Sequence, residues 1–221
     1  MNITTQDTKV TSYIVGLHFF RKDHNYGLFK GDFLNDMQSL FNTDLASIKI
    51  GNIDIVKNPD INDFELRLSP ENIVFQHNVP FDEMLLLTEK ILVAWQTHSK
   101  NSKVKLAGLV FNFSINSPKP NETNRLNITS QYFKDLGFWC KIKGANFRLN
   151  FLTDFNNNEY NINFSLLEGL EAEYSYKGSL DINRRSDNPL IGLLKEEREK
   201  IFADAKNYFQ TAFVDILNYK G

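Results

Sequence analysis

The sequence predicts an α+β fold: a mostly antiparallel, curved sheet with two inner helices and a long C-terminal helix packed on it. Three observations predict it. Between residues 104 and 182 apolar side chains recur at alternate positions, the period of a half-buried strand. Two stretches in the first half switch to the helical period instead. Residues 190–218 carry a wide aromatic stripe that needs a broad apolar partner, and the preceding strands are the obvious one.

In chain order, residues 1–10 are polar and are expected to be flexible. Tyr13 to Phe20 reads as a central strand, with Tyr13, Val15, Leu17 and Phe19 on one face and Ile14, Gly16, His18 and Phe20 on the other. Residues 29–42 form a helix whose inner stripe is Phe29, Phe33, Met37, Leu40 and Phe41. Residues 46–77 read as three short strands. Ile48, Ile50, Ile53 and Ile55 carry the first, with Gly51-Asn52 as a kink, and Phe64, Leu66 and Leu68 alternate along the second. Residues 81–99 form the second helix, with Asp82 as its N-cap after Pro80-Phe81.

From Val104 a meander follows. Leu109, Phe111, Phe113 and Ile115 line one face of a long strand, and the polar run Ser117–Asn124 is a loop. Strands at 138–142 and 147–151 come next, and Asn156-Asn157-Asn158 is a hairpin connection to Tyr160, Ile162 and Phe164. In the last strand Ala172, Tyr174, Tyr176, Leu180 and Ile182 oppose Glu171, Glu173, Ser175, Lys177, Ser179 and Asp181. The terminal helix, with Asp187-Asn188-Pro189 as start signal, places Leu194, Ile201, Ala205, Tyr208, Ala212 and Ile216 on one stripe. Residues 11–221 are read as one domain, since no linker or composition shift divides them.

Bulk properties bound the function. The 221 residues carry 25 basic and 27 acidic side chains, a net charge of −2, so no basic footprint for nucleic acid is present. Hydrophobic residues make up 42% and charged residues 24%, as in an ordinary globular protein. The single cysteine, Cys140, excludes an internal disulfide and a multi-thiolate zinc site. No secretory leader and no run of some 18 apolar residues is seen, so a cytoplasmic location without membrane contact is expected.

Several of these landmarks occur together. They are the strand Tyr13–Phe19 with its following helix, the segment Asn72-Ile73-Val74-Phe75-Gln76-His77-Asn78, and the helix bearing Trp95. The strand Leu106–Ile115 follows, and Leu180-Asp181-Ile182 then leads into an amphipathic helix with Phe209. In this order and spacing the chain resembles a sporadically distributed family of uncharacterised prokaryotic proteins. That family tends towards Gly-Leu-Arg-Tyr-x-Asn-x-Ile, where this chain has Val110-Phe111 in place of Arg-Tyr. The resemblance implies the fold and carries no established activity.

Candidate sites are few. Arg184-Arg185, between Asp181 and Asp187 at the junction of the last strand and last helix, suits an anion or a partner, held by the guanidinium groups and a helix N-terminus. The plainer alternative is a solvated turn in which the arginines pair with those aspartates. Phe20, Phe133 and Phe155 fall near element ends and are candidate exposed aromatics among the 19 phenylalanines. His18, Asp23 and His24 are close in sequence but lack a third histidine or cysteine, and Glu171 and Glu173 are explained by a polar strand face, so no metal, cofactor or catalytic residue is assigned. Phosphate-loop, dinucleotide, zincin and nucleophile-elbow motifs do not occur.

The expected function is a non-catalytic interaction protein with a protein partner or a second copy of itself. By analogy with the sporadic occurrence of the family it resembles, it would be an accessory component of a prokaryotic multi-gene system such as phage defence. A helix-grip-like binder of a small apolar ligand is the second expectation. An enzyme of unrecognised type, using Arg184, Arg185 and nearby carboxylates, is the third.

Overall fold

The structure, a computed structural model, describes residues 4–42, 45–58, 64–99, 102–116, 146–168 and 175–218. Among these it is an α+β fold built on a mostly antiparallel, open sheet of nine strands. The strands are β1 (Thr8–Phe19), β2 (Ala46–Ile50), β3 (Ile53–Lys57), β4 (Glu65–Ser69), β5 (Asn72–His77), β6 (Val104–Asn116), β7 (Asn146–Phe155), β8 (Asn158–Glu168) and β9 (Ser175–Arg185). They hydrogen-bond in the order β2-β3-β4-β5-β1-β6-β9-β8-β7. The helices are α1 (Tyr26–Phe41), α2 (Phe81–His98), α3 (Lys195–Gln210) and α4 (Ala212–Asn218), the last two forming one bent C-terminal helix. No helix among the described residues is long and apolar enough to cross a membrane.

The chain divides into two compact units. One comprises Ser12–Leu109 and Asn183–Phe202; the other comprises Met1–Thr11, Val110–Ile182 and Ala203–Gly221.

In the first unit the period-two pattern decides which face of the strands is covered. Val15, Leu17, Leu66, Leu68, Ile73 and Phe75 are all buried, while Ile14, Gly16, Arg67, Val74 and Gln76 are not. Phe29, Phe33 and Met37 of α1 and Met84, Ile91, Leu92 and Trp95 of α2 are buried at helical spacing. Trp95 is the hub. It stacks on Phe19 (centroids 5.5 Å apart, planes 3° from parallel) and meets Phe29 and Phe33 edge-on at 5.3 Å, each such pair contributing about 0.5–1.5 kcal/mol beyond burial. Asp54 of β3 is buried at 2% exposure because Tyr26 Oη (3.0 Å) and Lys30 Nζ (2.8 Å) of α1 donate to it. The N-cap of α2 is Pro80 rather than Asp82. Phe81 is already helical, and Asp82 and Glu83 occupy the first turn, where their charge complements the helix dipole. The N-terminal half of α3 enters this unit through Arg198, whose guanidinium forks onto Glu89 of α2 (3.2 and 2.9 Å) and donates to the Leu193 carbonyl (2.8 Å).

Residues 48–55 form a hairpin rather than one kinked strand. Ile50 faces Ile53 and Ile48 faces Ile55, and Gly51 takes φ 61°, the left-handed value that a glycine-first two-residue loop needs.

In the second unit, Phe111, Phe113 and Ile115 of β6 and Tyr160, Ile162 and Phe164 of β8 form the covered face. Phe209 stacks on Phe111 at 4.7 Å, and Phe213 meets Phe113 and Phe164 at 5.2 and 5.1 Å. The expected packing of Phe209 on the meander is therefore observed, and Ile201 and Ala205 of the same stripe are buried. Asn156 and Asn157, at φ 49° and 62°, close the β7–β8 hairpin as a two-residue loop with both residues left-handed. Asn156 Nδ2 and Tyr160 Oη both donate to the buried Asp204 of α3, at 2.8 and 2.5 Å. On the opposite face a polar ladder runs from Asn150 through Asn163 to Asp181, beside a Ser165–Ser179 hydrogen bond of 2.7 Å.

The terminal helix starts later than its sequence signal and bends. Asn188 makes a turn, accepting from the Leu190 N–H at 2.9 Å, and Gly192 is left-handed at φ 73°. The helix begins only at Lys195, where Glu197 Oε2 reaches back to the Leu194 N–H at 2.8 Å. The bend falls at Thr211, whose hydroxyl donates to the Asn207 carbonyl at 2.7 Å, a competing bond that bends helices.

Candidate functional site

Arg184 and Arg185 end β9, and alternation separates them: Arg184 is half-buried and Arg185 is exposed. The structure does not pair them with the flanking aspartates. Asp181 accepts from Asn163 at 3.1 Å, and neither guanidinium makes an ion pair among the described residues. Nor does a helix N-terminus sit beside them in the chain, because the turn at Asn188 intervenes and α3 begins at Lys195.

Arg185 instead lines a pocket of about 290 Å³ together with His18, Glu71, Asn72, Lys105 and Leu106. The topology explains the convergence. β5, β1, β6 and β9 are successive neighbours in the sheet, and these residues lie where the four strands meet their turns. His18 is the register partner of Asn72. A Cβ on Gly16, two residues before His18 on the same strand face, would lie 3.9 Å from its Nε2, so the imidazole lies over the bare glycine. Four backbone hydrogen bonds tie the walls: Phe19 N–H to Glu71 O (2.9 Å), Asp23 N–H to Pro70 O (2.8 Å), Phe20 N–H to Lys103 O (3.2 Å) and Ser186 N–H to Lys105 O (2.7 Å). Lys105 Nζ stands 5.9 Å from the centroid of the half-buried Phe20 ring, a cation–π arrangement. The pocket thus offers two cations, one carboxylate and an imidazole.

No protein-family model matches this chain, and no curated protein matches it. The chemistry of the site therefore follows from its own geometry.

Two apolar surfaces accompany the pocket in the same unit. On the β2–β3 hairpin Ile48, Ile50 and Ile53 are 59%, 61% and 44% exposed, and all five residues of β2 are exposed. Between α1 and α2 a groove of about 570 Å³ is lined by Met37, Leu40, Leu86, Val93 and Ala94, with Asp36, Glu89 and Lys90 also on its walls.

Of the aromatic candidates, Phe20 is the pocket neighbour, Phe155 is half-buried and meets Tyr208 edge-on at 5.3 Å, and Phe133 lies outside the described residues, as do Cys140, Glu171 and Glu173. Among the described residues no three histidine, cysteine or acidic side chains are placed to hold a metal ion. Asp23 is buried and accepts from Ser99 Oγ (2.5 Å) and the Asn25 N–H (2.8 Å), a structural role beneath the first turn of α1.

Sequence reasoning singled out Arg185 but missed Lys105, Asn72 and the role of His18. These residues come together only through strand order. The isoleucine surface had a readable signal: the step from Ile50 to Ile53 breaks period two, which marks a two-residue loop.

Proposed function

We propose that this chain is a non-catalytic interaction protein of the cytoplasm that takes up an extended segment of a protein partner along the outer edge of β2. The observation that carries this reading is the exposure of Ile48 and Ile50 on a strand that has no further neighbour among the described residues. An edge strand presents unpaired backbone N–H and C=O groups, which a helix or an apolar small molecule cannot satisfy and an added strand can. Alternation sets Ile48 and Ile50 beside Ile53 and Ile55 on one face, so a partner strand with apolar residues at every second position extends that cluster. The resemblance to the sporadically distributed prokaryotic family supports placing the protein as an accessory component of a multi-gene system of the phage-defence kind.

The test is native mass spectrometry of the protein purified from its own host, beside the double variant Ile48→Glu/Ile50→Glu. A stable extra subunit lost in the variant, with β2 amides protected from hydrogen exchange in the complex, is the expected result. A complex that survives both charges refutes the edge reading. A second copy of this chain as the added mass makes the partner a homo-oligomer.

The groove between α1 and α2 favours one other reading, a binder of a small apolar ligand, since its volume falls in the span of about 300–1,000 Å³ usual for such sites. It lies between two helices rather than between helix and sheet as a helix grip would require. A small non-covalent mass in the same spectra, displaced by Val93→Glu, supports that reading.

A further inference from the structure

We propose that the pocket formed by Arg185, Lys105, His18, Asn72 and Glu71 binds a small phosphate monoester with a hydroxylated carbon chain, a site separate from the β2 edge. Lys105 and Arg185 are both exposed, and Arg185 makes no hydrogen bond or ion pair among the described residues, so its donors are available to a ligand. A guanidinium presents paired N–H groups to two oxygens of a tetrahedral anion, and the lysine adds a point charge. Two cations lining one cavity match a dianion better than a single carboxylate.

The rest of the wall selects the remainder of the ligand. Glu71 can only accept hydrogen bonds when ionised, and the Asn72 amide can donate and accept, so the opposite end of the ligand is one that carries hydroxyl groups. At about 290 Å³ the pocket has room for a phosphoryl group and a short chain, and sits below the volumes usual for larger ligands. The four backbone hydrogen bonds around the walls hold these side chains on strand ends and tight turns, so binding requires little ordering of the backbone.

The probes are glycerol 3-phosphate, inorganic phosphate and a phosphoserine peptide, titrated calorimetrically into the full chain. Glycerol 3-phosphate is expected to bind, and inorganic phosphate to bind more weakly. Arg185→Gln and Lys105→Gln should each weaken both by about tenfold. Glu71→Gln should reduce the preference for the ester over inorganic phosphate. Because Arg185 and Lys105 are exposed, the ligand-free melting temperature of both variants should stay at the wild-type value, and Ile48→Glu/Ile50→Glu should bind glycerol 3-phosphate like the wild type. Absence of binding at about 10 mM ester overturns the proposal, since affinity weaker than the millimolar range is not specific recognition. So does binding that Arg185→Gln and Lys105→Gln leave unchanged. Tighter binding of the phosphoserine peptide than of the ester also overturns it, by giving the pocket to a protein.

Discussion

Breaking the ion pair between Arg198 and Glu89 should measure how firmly α3 is fastened to α2. Arg198 is 7% exposed, and its guanidinium has three partners: both Glu89 oxygens and the Leu193 carbonyl. Glu89→Gln keeps the shape and removes the countercharge. Breaking a fully buried pair costs about 3–5 kcal/mol, because one charge is left uncompensated. Here the Glu89 side chain is 21% exposed and water reaches it, so about 2–3 kcal/mol is the expected loss. Arg198→Met should cost a similar amount, since it strands the Leu193 carbonyl as well, about 1–3 kcal/mol for an orphaned buried acceptor. The double variant Glu89→Met/Arg198→Met removes both charges and replaces them with apolar volume, so it should keep only the cost of the stranded Leu193 carbonyl, about 1–3 kcal/mol, and fall well short of the sum of the two singles. Urea unfolding followed by far-UV circular dichroism reads these values. With a slope of about 2–3 kcal/mol per molar, each single substitution moves the midpoint by roughly 1 M. Single shifts below about 0.2 M, or a double variant as unstable as the sum of the singles, would refute the claim that this pair is a coupled, largely dry fastening.

Burial, reinforced by the hydrogen bond to the Asp54 carboxylate, holds the Tyr26 phenol far above the ordinary tyrosine value of 10.0, and burial raises Tyr13 and Tyr208 as well. The folded protein therefore keeps protons that the unfolded chain releases, so stability is full below about pH 10 and falls as pH rises further. Urea midpoints should stay level to about pH 9 and then decline, with a shallower decline in Tyr26→Phe; an identical alkaline decline in that variant counts against the assignment. Gly178→Ala places a Cβ 2.5 Å from Phe113 Cζ and 2.8 Å from the Ser165 carbonyl, and Phe113 is held between Phe209 and Phe213, so about 1–3 kcal/mol should be lost in the same urea assay. A neutral Gly178→Ala would mean that the packing around Phe113 yields.

Much of the fold was legible because it rests on local periodicity. The alternation of Tyr160, Ile162 and Phe164 and of Leu180 and Ile182, and the stripes through Phe33 and Trp95, record which face each element buries, and apolar burial is the dominant force in folding. Element ends were less legible, since they turn on single hydrogen bonds. Asn188 and Asp82 both carry the chemistry of a helix start. In the structure the first spends its oxygen on a turn, and the second follows a proline that already occupies the cap. The site was the least legible part. Arg185 stood out by charge in a turn region. Its companions His18, Asn72 and Lys105 come from strands whose adjacency no local pattern encodes, and Lys105 reads on its own as an ordinary surface lysine.

The clasp of Asp204 on Asn156 and Tyr160 has a consequence for how the chain matures. The helix bearing Asp204 leaves the ribosome after both strands of the hairpin it clasps, and after Phe111 and Phe113, which it shields through Phe209 and Phe213. Until it arrives, a strip of phenylalanines on the nascent sheet is open to water and to chaperones. A chain cut ahead of Lys195 would therefore leave Phe111, Phe113 and Phe164 without these covers, the kind of open apolar strip on which nascent chains associate.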